Sequence, residues 1–387
     1  MKQARTNKDV LLLVLLRLKS LLIAIFISKP KILYVFSHRR QNVRKERISI
    51  KYNGENFIAL RYSKIPLIKR PALILNIGIS YYGENHVILN RLAKAIALLG
   101  YHAFIPSFYE VKDCWIRKES VEHMEHAIFA ISNLDYVNSN QIGIIGLCFG
   151  GGLSLLAVKN SEVNKKIKFA LVLGTYSDLE SSLRFSFTGK FKVHNKTKYI
   201  TPHSNSKIIF LHNFLEKLNL FKNIAKTRKV LGNFLKDRTR LAFENMRYLE
   251  PADRKLILSL YRSSETDDIC YKIIISNVKE LSDTLSPKHI KDNLRIPIFI
   301  IHGIYDDMID YGQGINLAES LYSSGGVYLH LSDILCNKKV SHFLSNPVKW
   351  INGTLKLSNV FYHALAVLHS DNNLKYNPEN EPIRFKI

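Results

Sequence analysis

Apolar and polar positions begin to alternate at Ile48, where RISIKY and then NFIALRYS read as two strands joined by Asn53-Gly54, a pair suited to a tight hairpin. Ala72 to Ile77 (ALILNI) is instead continuously apolar and stops at Gly78, the pattern of a strand buried on both faces. Helical spacing over His86 to Leu99 ends at Gly100, and His102 to Ile105 before Pro106 makes another short strand. Glu119 to Leu134 is helical, Gln141 to Ile145 (QIGII) is a strand leading to a helix near Gly152, and Phe169 to Leu173 is a strand again. Such alternation predicts an α/β fold, a mainly parallel sheet with helices on both faces. Ligands of these sheets bind beyond the carboxyl ends of the strands.

From about Asp178 to Leu294 the strand pattern gives way to amphipathic, helix-periodic segments such as KIIFLHNFLEKLNLFKNIAK. A structureless loop of that length does not suit a compact domain, so 178–294 reads as an inserted helical cap. Sheet character resumes with Ile296 to Ile301 and Val327 to Leu331, and Asn346 to Ala366 reads as a closing helix. The expected organisation is an N-terminal segment 1–47, a core of 48–177 and 295–370, the cap 178–294, and a polar tail 371–387 with two prolines.

Val10 to Ile27 is an apolar run interrupted by Arg17, Lys19 and Ser20. As a helix it would extend about 27 Å, barely a bilayer core. Its two basic residues nearly offset its apolar ones on insertion scales, so spanning is marginal. Nor is it a clean interfacial helix, because at 100° per residue Arg17 and Lys19 project to nearly opposite sides. The expectation is a protein on the cytoplasmic side that is membrane-associated through residues 10–27, or a helix packed on the protein itself. The formal charge of +24 suits an anionic membrane surface better than nucleic acid, since the basic residues are dispersed and no zinc-finger or RNP-like pattern accompanies them. Cys114, Cys148, Cys270 and Cys336 lie far apart without a CxxC pair, which argues against a zinc site or a disulfide scaffold.

The sharpest chemical signal is Gly146-Leu147-Cys148-Phe149-Gly150-Gly151, between the strand QIGII and a helix. A sharp strand-to-helix turn lifts its central side chain clear of the sheet, and small flanking residues such as Gly146 and Gly150 let neighbouring backbone approach. The helix N-terminus beneath the turn is expected to lower the thiol pKa. Two further signals follow in the order nucleophile, acid, histidine: Asp306 in the turn HGIYDDMI after a buried strand, and His342 in CNKKVSHF after the next.

With these residues the chain resembles the α/β-hydrolase superfamily, and the GLCFGG elbow is similar to that of dienelactone hydrolases, which use cysteine. NLDYVNSNQIGIIGLCFGGGLSLLA, HGIYDDMI and VSHF carry the resemblance, over roughly 71–180 and 294–366. It implies Cys148 as nucleophile, His342 as general base and then acid, and Asp306 orienting the imidazole, with Asp307 the less favoured acid. It also implies an oxyanion hole from the backbone N–H of Phe149 and, after Gly78, that of Ile79. The sequence departs from the family at Asn76-Ile77-Gly78, where many members have His-Gly, and at Pro106-Ser107, which lacks a common Asp.

The implied activity is hydrolysis of a carboxylic ester, lactone or thioester, with an apolar acyl substrate suggested by the cap and no cofactor or metal. Acyl transfer in the manner of polyester synthases, which share a GxCxG elbow, is one alternative. An inactive, membrane-associated binding module is the other. His123 and His126 share a helix face but lack a third ligand. Cys114 beside Trp115 reads as a packed thiol, Cys336 as packing near His342, and His86 as either lining the site or facing solvent.

Overall fold

The structure, a computed structural model, describes residues 7–28, 42–262, 266–290, 294–322, 326–335 and 346–370. Its strands are β1 (Val43–Tyr52), β2 (Glu55–Lys64), β3 (Arg70–Asn76), β4 (His102–Pro106), β5 (Val137–Leu147), β6 (Phe169–Leu173), β7 (Lys190–Val193), β8 (Lys196–Tyr199), β9 (Ile298–Gly303) and β10 (Val327–Ser332). Eight of them form one sheet in the order β1-β2-β4-β3-β5-β6-β9-β10. The pairs β1/β2 and β2/β4 are antiparallel and the other neighbours parallel. Asn53 and Gly54 both take positive φ, 50° and 84°, which matches the twist of the β1–β2 hairpin. β1 starts at Val43, so the strand pairing reaches into the segment expected to precede the core.

Helices of eight or more residues are α1 (Asn7–Ser28), α2 (Val87–Leu98), α3 (Glu119–Ser132), α4 (Phe149–Val158), α5 (Leu179–Thr188), α6 (Ser204–Asn213), α7 (Ile224–Leu235), α8 (Thr239–Met246), α9 (Pro251–Arg262), α10 (Thr266–Leu285), α11 (Tyr311–Ser320) and α12 (Pro347–His369). The central strands are apolar at every core position: Ala72 to Leu75 and Ile298 to Ile301 are all buried, as strands covered on both faces must be. α4 begins at Phe149, ahead of the expected Gly152, because the turn at Cys148 passes directly into helical hydrogen bonding.

Between β6 and β9 the chain forms α5 to α10 together with the two-stranded β7–β8 hairpin. The hairpin is short and lysine-rich (KFKV, KTKY), with only Phe191 and Val193 turned inward, so its alternation is weak against the helical pattern around it. The two ends of this excursion meet at one carboxylate. Asp178 Oδ1 accepts hydrogen bonds from Ser282 Oγ (3.1 Å) and Ser286 Oγ (3.3 Å) and pairs with Lys288 Nζ (3.0 Å), while Asp178 Oδ2 caps α5 at Ser181 N. Gln313 Oε1 accepts from the N–H groups of both Ser177 and Asp178 at 3.1 Å, tying this neck to α11. Burial alone would raise the Asp178 pKa, but Lys288 and Ser181 outweigh it and hold it below the usual range.

Buried histidines give the fold a pH signature. Burial pushes His212, His330 and His363 down to about 4, with Arg228, Lys356 and Arg17 adding in turn. Above pH ~6.5 each is neutral in both states; below it the unfolded chain binds protons that the folded chain refuses until about pH 4. That costs up to about 2 kcal/mol per histidine by pH ~5. Asp310, raised by burial to about 7, works the other way between about 7 and 3.8, yet offsets only part of it. The urea midpoint should therefore fall between pH 7 and about pH 5, and His363→Gln should flatten the slope. A midpoint that rose on acidification would contradict this.

Candidate active site

The strand exits build a continuous rim. Cys148 N donates to Leu173 O (2.9 Å) at the end of β6, Gly174 N donates to Ile301 O (2.8 Å) on β9, and Ile304 N donates to Ser332 O (2.9 Å) at the end of β10. Three parallel strands thus deliver residues 148, 174 and 303–306 to one edge of the sheet.

Cys148 sits at φ 53° and ψ −132°, backbone that an L-residue rarely adopts and that is kept only where surrounding structure enforces it. Close packing around the turn does so. A Cβ at Gly146 would lie 2.5 Å from Gly151 Cα, and one at Gly150 would lie 2.4 Å from Ile77 O, so both positions require glycine for space. The end of β3 is clamped to the same helix by Asn76, whose buried Nδ2 donates to Gly150 O (3.1 Å).

Opposite the elbow lies the loop after β3. A methyl at Gly78 would fall 2.6 Å from Phe149 N, 2.9 Å from Cys148 Cβ and 3.1 Å from Cys148 Sγ. Gly78 therefore packs directly against the first N–H of α4 and the sulfur. Among the described residues neither the Phe149 nor the Ile79 N–H donates to a backbone carbonyl. The loop is held from behind by Ser80 N, which donates to Val111 O (3.2 Å).

Asp306 stands on the far side of Gly174. A Cβ at Gly174, where φ is +56°, would come 2.9 Å from Asp306 Oδ2, so glycine there lets the carboxylate approach. Its Oδ1 accepts the N–H groups of Met308 (2.9 Å) and Ile309 (3.1 Å), which fix its direction. Burial raises its pKa, against the pull of nearby His302 and those two N–H groups. Asp307, the alternative acid, is buried beside it and offers its backbone oxygen to His203 N (2.8 Å).

The expected lowering of the Cys148 pKa is reversed. Burial first, and then the Asp306 charge, push the thiol up to about 12, while the Phe149 N–H pulls only weakly the other way. Although part of the residue's surface stays accessible, its sulfur is deep enough for desolvation to outweigh the helix N-terminus.

His342 and Cys336 lie outside the described residues. Leu335, the last described residue before them, lies at the same rim, where its O is so close to Gly303 that a Cβ there would be 2.4 Å away. Three residues that the sequence reading missed also line the centre. Tyr176 stacks on Phe149 (5.2 Å between centroids) and donates to Leu285 O at the end of α10 (2.7 Å). His302, fully buried, places Nε2 3.0 Å from Ile309 O and 3.9 Å from Asp306 Oδ2. Gly174 is the third, and the run LGTYSD after a buried strand was the available signal for it and for Tyr176.

The remaining sequence candidates fall away from this centre. His123 pairs with the buried Glu110 (2.5 Å), and His126 packs on Phe57 and Tyr52; no metal-holding cluster occurs among the described residues. Cys114 is a buried free thiol pushed up to about 11 by burial. His86 is half-buried against Tyr82.

This mostly parallel sheet, with its sharp strand-to-helix turn after β5, is the α/β-hydrolase fold. Residues 77–171, which include the turn at Cys148 and Gly78 opposite it, match the Dienelactone hydrolase family. The uncomplexed acylaminoacyl peptidase of Pyrococcus horikoshii superposes with a TM-score of 0.50 at 13% identity, covering 89% of this chain and 45% of its own. The present chain thus spans less than half the length of that peptidase. Esterase Est22 gives a TM-score of 0.46 at 13% identity, over 92% of this chain and 90% of its own. No curated protein matches the chain.

Proposed function

We propose that the protein hydrolyses a carboxylic ester, lactone or thioester through an acyl-enzyme on Cys148. The observation that carries this reading is the strained turn that holds Cys148 between the Gly78–Ile79 loop and Asp306. Strain of this kind, roughly 1–3 kcal/mol, persists where a fold gains something by aiming one side chain.

A thiol held near 12 does not ionise unaided at neutral pH. Attack therefore couples proton removal to bond formation: His342 takes the thiol proton as sulfur bonds to the carbonyl carbon. The oxygen, now an oxyanion, receives hydrogen bonds from the N–H groups of Phe149 and Ile79. Collapse breaks the bond to the leaving alkoxide or thiolate, which takes the proton from the imidazolium. Water, deprotonated by the same ring, then releases the acid and restores the thiol. Asp306 orients the ring and stabilises its charged form.

Intact-mass spectrometry after brief exposure to activated esters and acyl thioesters tests the reading. An acyl adduct on Cys148 that decays with turnover is expected, and folded protein that gains no adduct at any chain length would refute it. Added alcohol or thiol that diverted the acyl group efficiently would instead identify a transferase. Asp306→Asn should lower kcat/KM by about 10³-fold, whereas Asp307→Asn should stay within about tenfold of the parent. The reverse ranking would reassign the acid.

A further inference from the structure

The N-terminal helix packs on the domain along one side only. Leu16, Ser20, Ile23 and Ala24 of α1 are buried, and the helix lies along α12 and α2. The opposite side is apolar and uncovered: Val10, Leu11, Val14, Leu15 and Leu18 are exposed, Leu11 at 71%. At 100° per residue these five occupy a sector of about 140° centred opposite Leu16, Ser20 and Ile23. Val10–Ser28 has a mean hydropathy of 2.6 and is long and apolar enough to cross a membrane, yet only 28% of that stretch is buried.

Arg17 and Lys19 do project to opposite sides, but neither interrupts the apolar sector. They lie at its two edges, and both bend back onto aromatic rings of the body. The Arg17 guanidinium sits 3.4 Å from the Tyr362 ring centroid and bonds Asn359 Oδ1 (2.5 Å), and Lys19 Nζ lies 4.5 Å from the Tyr101 ring. α12 repeats the arrangement at its start. Val348, Ile351 and Leu355 form an exposed stripe at helical spacing, Val348 at 66%, with exposed Lys356 and Lys349, the latter 3.4 Å from Asp333 Oδ2, along its edge. On the other flank Lys64, close enough to lower the Lys19 pKa after burial has done so, leads into exposed Ile65, Leu67 and Ile68.

We infer that this face is the seat of the protein on an anionic lipid surface. α1 would lie in the headgroup layer with its outer apolar sector in the acyl boundary, and the flanking cations at headgroup level. Apolar area supplies the contact, and basic flanks on a chain of net charge +24 select the membrane that offers the opposite sign. Because the basic residues and the inner face of α1 are fastened to the domain, the helix is a wall of it and does not cross the bilayer alone. The inference is independent of the chemistry at Cys148.

Flotation of the full chain with vesicles of phosphatidylcholine, with and without about 30% phosphatidylglycerol, tests it. Binding to the anionic vesicles is expected, weakened by salt. Leu11→Glu with Leu15→Glu should lower it by about tenfold or more with an unchanged thermal midpoint, since both side chains are exposed. Two results would overturn the inference. One is a double variant that floats like the parent. The other is a parent that fails to float and elutes as a dimer which the same variant dissociates, assigning the face to a second copy of the chain.

Discussion

Cys148→Ala should leave the protein folded and lower kcat/KM toward activated esters by about 10⁴-fold, with no acyl adduct detectable by mass. The size of the loss follows from the geometry. Among the described residues Cys148 is the one thiol raised onto the rim beside both Gly78 and Asp306, whereas Cys114 and Cys270 are buried elsewhere. The turn adds a second, opposite readout. At φ 53° and ψ −132° any side chain is strained, so Cys148→Gly should be equally inactive yet more stable than Cys148→Ala by about 1 kcal/mol. An alanine variant that retained turnover would remove the thiol from the mechanism. A glycine variant less stable than alanine would remove the strain argument.

Gly78→Ala should lower kcat by about 10²–10³-fold while leaving KM within a few-fold. Its new methyl would stand 2.6 Å from Phe149 N and 3.1 Å from Cys148 Sγ, in the space assigned to the oxyanion. Relief requires backbone to move, which costs about 1–3 kcal/mol of stability, so the kinetic loss is to be measured well below the melting transition. Alkylation of Cys148 by a small haloacetamide provides the control, because it develops no carbonyl oxyanion. A fall in alkylation as large as the fall in kcat would mean that the methyl merely shields the sulfur.

Much of the architecture was legible because its elements carry strong local signals. Asn53-Gly54 announces its hairpin, and the unbroken apolar runs at Ala72–Leu75 and Ile298–Ile301 announce strands covered on both faces. The elbow was legible for a related reason: Gly146 and Gly150 are demanded by backbone contacts that no other residue permits. What escaped the sequence depends on three-dimensional neighbours. The sign of the Cys148 shift is set by how deeply the sulfur is packed and by a carboxylate arriving from β9, neither of which a helix N-terminus reveals. The directions of Arg17 and Lys19 were correctly placed on opposite sides, but their long side chains turn to Tyr362 and Tyr101, partners far away in sequence. The β7–β8 hairpin was hidden by its brevity and its lysines. His342 lies outside the described residues, so its placement in the site stays part of the proposal.

The neck at Asp178 closes the segment between β6 and β9 at its base. Since Ser282, Ser286 and Lys288 return to the carboxylate from which the excursion departs, the sheet experiences it as a connection whose ends already touch. Lengthening such a closed loop is cheap, about 0.6 kcal/mol for each doubling. The intervening helices can therefore vary in length at little entropic cost, while the contacts of His203 N with Asp307 O and of Tyr176 with Leu285 O keep them packed against the strand exits that carry Cys148 and Asp306.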